Sequence, residues 1–150
     1  HAALRGNYFL DDGAYLITKI IIKMAVLRRE GRTLDDLLAP LREPAEAVEI
    51  RFPILEEDFQ AYGNSVIAGL EGYAREKGWD MAPDSREGIR VSFPKGQGDG
   101  WFLLRLSVHD PIMPLNIESD SQGGVQQIFQ ALLQYLKTCP GLDLSSAPGC

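Results

Sequence analysis

Few residues of the kind that announce a reaction occur in this chain. Among 150 residues there are two histidines and two cysteines, and neither Cys139 nor Cys150 stands at a metal-site spacing from His1 or His109. No metal site is therefore expected from them, and the thiols are compatible with a reducing compartment or with one disulfide closing the tail. Long apolar runs are missing too. Ile20-Ile21-Ile22 is bounded by Lys19 and Lys23, far short of the roughly 20 residues that cross a bilayer. No signal-peptide pattern is read at the start, and no membrane partner is expected. Basic residues are in the minority, 15 Lys and Arg against 21 Asp and Glu, for a net charge of -6. That balance argues against a nucleic-acid partner, which needs a basic surface to displace counterions. It leaves room for a small phosphorylated ligand, which needs only a local cluster of donors.

What is present is globular, with 45% apolar and 24% charged residues. The length suits one domain, or one domain and a piece of another. The first ten residues, through Asn7 to Leu10, read as a loop followed by a short apolar strand or hydrophobic staple, and then the turn Asp11-Asp12-Gly13, whose carboxylates suit a helix cap. Ile17, Ile20, Ile21, Met24 and Leu27 then recur at helical spacing up to about Arg29. Gly31 stops that helix, and Thr33 with Asp36 predicts a capping box for a short helix, Leu34 to Leu38. Pro40 and Pro44 mark a boundary.

Beyond it, Val48, Ile50 and Phe52 alternate with charged residues as a strand, and Glu56 to Asp58 open a helix with a stripe from Phe59 to Tyr73. Trp79 to Pro83 is a short edge segment, 89–93 and 101–107 are strands, Ile112 to Ser119 is another, and Val125 to Leu136 is a final helix. Trp101, Phe102 and Tyr62 fall on apolar stripes and are expected in the core, and Lys95 at a glycine-rich hairpin tip in solvent. The order predicts an α+β domain over residues 45–137, a four-stranded, mainly antiparallel sheet with two helices on one face. Residues 1–44 read as a helical piece with too few elements to bury its apolar stripe, either docked on the domain that follows or the last part of a domain whose beginning is missing, and 138–150, rich in Pro, Gly and Ser, as a flexible tail.

One loop on that sheet has the chemistry of an anion site. Arg105 and Ser107 stand one residue apart at a strand end, so both side chains leave on one face just before Val108-His109-Asp110-Pro111. A forked guanidinium, a hydroxyl and turn amides can converge on a phosphate. An exposed Arg and Ser before a proline turn can equally be a solvated strand end, and His109 can equally pair with Asp110.

Three ordered stretches resemble the alpha-D-phosphohexomutases, the phosphoglucomutase and phosphomannomutase family. His1 with Asn7-Tyr8-Phe9-Leu10-Asp11-Asp12-Gly13 resembles the end of the family's third domain, Glu87-Gly88-Ile89-Arg90-Val91 a strand of its fourth, and Arg105-x-Ser107-x-x-x-Pro111 its phosphate loop. The resemblance covers most of residues 1–137. It implies that 1–44 is the α/β third domain's helical remnant and that 45–137 is a TATA-box-binding-protein-like fourth domain. It also implies a hexose 1- or 6-phosphate substrate and phosphoryl transfer through a phosphoserine. On this reading Arg105, Ser107, Val108, His109 and Asp110 hold the phosphate, and His1 is the last residue of the sugar-binding loop. The catalytic serine and the Asp-rich Mg2+ site would lie in upstream domains outside this chain, which would bind no cofactor and be inactive alone. A cytoplasmic protein is implied, with the plastid as the alternative. Val108-His109-Asp110 departs from the family's Gly-Thr-Glu, losing a flexible Gly and a Thr donor. That departure keeps open a second reading, a non-catalytic anion-binding or protein-interaction module on the same fold.

Overall fold

The structure, a computed structural model, describes residues 3–147, which divide into two compact units at Glu43 and Pro44. In the first unit the expected strand near Leu10 is absent. Arg5–Asn7 is a 3-10 turn, and Tyr8 and Phe9 take φ of 52° and 58°, which no strand permits. Helix α1 (Gly13–Arg29) follows, with the Asp12 carboxylate accepting the Tyr15 amide at 3.1 Å, so of the two aspartates Asp12 is the cap. Helix α2 (Asp35–Leu38) is capped by half a box: the Thr33 amide donates to Asp36 Oδ2 at 2.7 Å, and the Thr33 hydroxyl returns nothing to the helix. Of the α1 residues Leu27 alone is buried, while Ile17, Ile21, Ile22 and Met24 are more than half exposed. That much bare aliphatic surface is what an interior helix carries.

The second unit is an antiparallel five-stranded sheet in the order β1-β5-β4-β3-β2. Its strands are β1 (Glu46–Pro53), β2 (Asp80–Met81), β3 (Gly88–Phe93), β4 (Gly100–Arg105) and β5 (Ile112–Ser119). The expected edge segment supplies the fifth strand, β2, through Asp80 and Met81 opposite Ser92 and Val91. Period-two alternation sends Ile50, Phe52, Val91, Phe102, Leu104, Leu115 and Ile117 to one face. Helices α3 (Phe59–Glu76) and α4 (Gly124–Leu136) lay Val66, Leu70, Ala74 and Ile128, Phe129, Leu132 on that same face, forming one core. Each of the Val, Leu, Ile and Phe side chains taken fully from water contributes roughly 1.5–3 kcal/mol. The helices are tied by Tyr135, whose hydroxyl donates to the Val66 carbonyl at 2.6 Å.

Two expectations are corrected. Trp101 is not core: it lies on the open face, where the Arg90 guanidinium sits 4.6 Å from its ring centroid. Strand β4 is apolar on both sides, so alternation could not tell which side the helices cover. Residues 138–147 are not a loose tail. Cys139, Leu142 and Ala147 are buried, and Leu142 forms an antiparallel bridge with Ile54. Isolated apolar anchors within a Pro-, Gly- and Ser-rich segment are enough to fix it once a sheet edge is there to receive it.

Candidate functional site

The β4–β5 hairpin narrows to the loop of interest. Leu104 stands opposite Leu115, and the Ser107 amide still donates to the Ile112 carbonyl at 3.0 Å, so the turn is Val108, His109, Asp110 and Pro111. Leu106 turns toward α3, where a Cβ on Gly63 would meet its methyl groups at 2.5 and 3.1 Å. Alternation therefore sends Arg105 and Ser107 to the other side, the open face. Strand β3 supports this point from beneath. Gly88 is the partner of Arg105, and a Cβ there would lie 2.8 Å from Arg105 Cα and 2.9 Å from Arg105 Cβ, and closer still to the Leu104 carbonyl oxygen.

Within the turn, the Asp110 amide donates to Ser107 Oγ at 3.3 Å and the Ile112 amide to the Asp110 carbonyl at 2.8 Å. Ser107 thus uses its oxygen as acceptor and keeps its proton for another partner. Among the described residues, the amides of Val108 and His109 meet no acceptor and Arg105 has no ion pair. Val108 is 73% exposed, and His109 and Asp110 are also exposed. None of the turn residues has positive φ, so replacing a glycine by Val108 imposes no strain here. His109 makes no hydrogen bond to Asp110 among the described residues, and His1 lies outside them.

Sequence patterns gave no sign of the neighbouring open-face cluster. Arg51 Nε donates to Glu49 Oε1 at 2.6 Å and Asn116 Nδ2 to Glu49 Oε2 at 3.3 Å. The Arg51 hydrogen bond, then that from Asn116, holds the Glu49 carboxyl below its ordinary pKa, and the charge of Arg105 adds a smaller pull. Glu49 is therefore within electrostatic reach of Arg105 but already satisfied elsewhere. Lys95 is not brought to this site: its hairpin joins Phe93 to Gly100, at the opposite end of the sheet from the Gly88 and Arg105 pair.

The turn residues Val108 to Pro111 are exposed. Two concavities, of about 220 and 350 Å³, are lined by Glu49, Asn116 and Glu118 and by Glu71, Arg75 and Ser85 respectively, with no residue of the 105–111 loop in either. Among the described residues no group of three or more His, Cys, Asp or Glu could hold a metal. No described helix is long and apolar enough to cross a membrane.

The class this fold defines is α+β, built on an antiparallel sheet. Comparison with known proteins then gives kinship. No family model matches the chain. The phosphomannomutase/phosphoglucomutase of Pseudomonas syringae pv. tomato is 29% identical over 149 residues, covering 96% of this chain and 29% of its own length. A phosphoglucomutase of Neisseria gonorrhoeae is 26% identical over 143 residues, 95% of this chain and 28% of its own. A crystal structure of a phosphoglucomutase/phosphomannomutase family protein from Burkholderia thailandensis superposes with a TM-score of 0.57 at 24% identity, over 95% of this chain and 26% of that one, a likeness of fold. Nearly the whole chain is thus similar to proteins named phosphomannomutase/phosphoglucomutase and phosphoglucomutase, and it spans less than a third of their length.

Proposed function

We propose that this chain is the phosphate-holding portion of a phosphohexomutase, and that Arg105, Ser107 and the Val108 and His109 amides grip the phosphate of a hexose 1- or 6-phosphate. The carrying observation is the placement of Arg105 and Ser107 on one open face beside two unused amides. The guanidinium offers paired donors, the hydroxyl a neutral one, and the amides a fixed partial positive charge. Phosphate held here does not react. Its binding energy positions the sugar so that the other end meets the transferring group, which lowers the entropic part of the barrier. The phosphoserine and the Mg2+ belong to upstream domains of the same protein, and the isolated chain holds phosphate without transferring it. The exposure of the turn supports this division, because a ligand site open to solvent gains its walls from elsewhere. The cell compartment in this reading is the cytoplasm.

A second reading, a non-catalytic module, is favoured by Val108-His109-Asp110, which lacks the Thr hydroxyl donor of the family's loop. Titrating the 150-residue chain with glucose 6-phosphate while following amide resonances tests the first. Shifts should concentrate at residues 105–110, and Arg105→Ala should weaken binding about tenfold to hundredfold. Shifts spread over other surfaces would reject the site. A coding sequence upstream that lacks both the serine loop and an Asp-rich loop would favour the second reading.

A further inference from the structure

Three backbone segments run side by side at the loop end of the sheet. The Ile54 amide donates to the Pro111 carbonyl at 2.8 Å, which pins the last residue of the turn. On the other side of residues 53–55, the Leu55 amide donates to Gly141 and the Asp143 amide to Pro53, each at 2.8 Å. Residues 53–55 therefore lie between the tail and the turn, and what orders them orders both. The tail is anchored independently at several points. The Gly141 amide donates to the Tyr62 hydroxyl at 2.8 Å, the Ser146 hydroxyl to the Arg51 carbonyl at 3.1 Å, and Leu142 is 6% exposed. The fit at Gly141 is tight, since a Cβ there would lie 2.6 Å from Tyr62 Cζ and 2.9 Å from Glu56 Cγ.

We infer that residues 139–147 are a strap that positions the Arg105–Pro111 turn by way of Ile54, and that Leu142, Gly141 and Tyr62 are positioning residues for it. The inference rests on the proposed anion role of that turn for its functional meaning, while its structural content stands alone. Without the strap, residues 53–55 are an exposed strand extension with unpaired groups on one side, free to fray from Pro111. A turn that frays spends less of its time with Ser107 and its amides aligned, and the apparent affinity falls by the fraction of time lost.

The test uses the 150-residue chain and inorganic phosphate as probe, with residue-resolved amide hydrogen exchange. Tyr62→Phe removes a single acceptor, Leu142→Asp ejects the anchor, and Ser119→Ala, at the opposite end of the sheet, lowers stability without touching the strap. In Tyr62→Phe and Leu142→Asp the Ile54 and Ser107 amides should exchange roughly three- to tenfold faster, the loss expected for one or two hydrogen bonds. The Val91 and Phe102 amides should stay near their original rates. Phosphate affinity should fall in parallel, and Ser119→Ala should change neither the Ser107 amide selectively nor the affinity. Uniform acceleration over the whole sheet, or a released tail with Ser107 unchanged, would overturn the strap. If the unaltered chain shows no phosphate response at residues 105–110, the anion reading fails, and the exchange pattern still decides the strap.

Discussion

Replacing Gly88 by alanine connects the fold to the site in one methyl group. The added Cβ would lie 2.8 and 2.9 Å from Arg105 Cα and Cβ and nearer still to the Leu104 carbonyl. All of these are backbone or backbone-proximal atoms, which cannot swing away. The β3 and β4 ends must separate by about 1 Å, and overpacking of this kind costs about 1–3 kcal/mol. Opening the Gly88 and Arg105 pair also weakens a ladder bond worth roughly 0.5–1.5 kcal/mol. The backbone at Gly88, with φ of 159°, is one that alanine takes up only with strain, so the unfolded-state entropy gain of a compatible glycine site is not realised here. The net expectation is a loss of about 2–4 kcal/mol, or roughly 4–16 °C in Tm for a chain of this size. Gly72→Ala is the matched control, since a Cβ there meets nothing within 4 Å in the middle of α3. It should stabilise by about 0.5–1 kcal/mol. Calorimetry gives the stabilities, and phosphate titration asks whether Arg105 has moved. A Gly88→Ala protein as stable as the original, with an unchanged phosphate response, would refute both the close approach and its role in seating Arg105.

Four further outcomes are expected. Ser119→Ala removes a buried hydroxyl that donates to the Gly98 carbonyl at 2.5 Å and accepts the Ser121 amide at 3.0 Å; a loss of about 1–3 kcal/mol in a denaturant titration is predicted. Glu46→Ala strips the carboxylate that accepts the Gly123 and Val125 amides at 2.8 and 3.1 Å at the start of α4, and the same assay should read a loss of about 1 kcal/mol. Burial pushes the Tyr62 and Tyr135 phenols above their ordinary pKa of 10.0, so the unfolded chain ionises them first. Stability should hold below about pH 10 and fall above it, with two late-titrating phenols visible by absorbance; a rise in stability above that pH would contradict the burial. Arg51→Ala frees Glu49 to turn toward Arg105, and phosphate affinity should fall although Arg51 itself is not placed on the phosphate; unchanged affinity would show that Glu49 is no competitor.

Much of the fold was legible because one sheet face is buried and the other is not. Strand β5 occupies Ile112–Ser119, the span its composition suggests, and β1 alternates from Val48 to Phe52 as expected. The shared face of Arg105 and Ser107 was legible for the same reason. Where alternation breaks, so does legibility: β4 carries Trp101 and Leu103 on its open side and Phe102 and Leu104 on its core side. The cap of α4 could not be read locally, because Glu46 is 77 residues from Gly123 in sequence. The strap was hidden by its composition, since the pairing of Leu142 with Ile54 and the Tyr62 hydroxyl that takes the Gly141 amide are both long-range.

The charge balance sets how a phosphate can be held here. A net charge of -6 gives no long-range attraction for an anion, and at physiological ionic strength fields fade over about 8 Å. Affinity must then come from donors in contact with the ligand. The nearby carboxylate, Glu49, would offset Arg105 were it not held by Arg51 and Asn116. Asp110 spends its backbone amide on Ser107, which leaves the amides of Val108 and His109 as the outward-facing dipoles. On the proposed reading, an exposed turn of this kind would bind weakly, because much of its surroundings is solvent. Enclosure by further protein would strengthen each of these donors by lowering the local dielectric. The bare aliphatic face of α1 is a second surface of the chain that calls for such a cover.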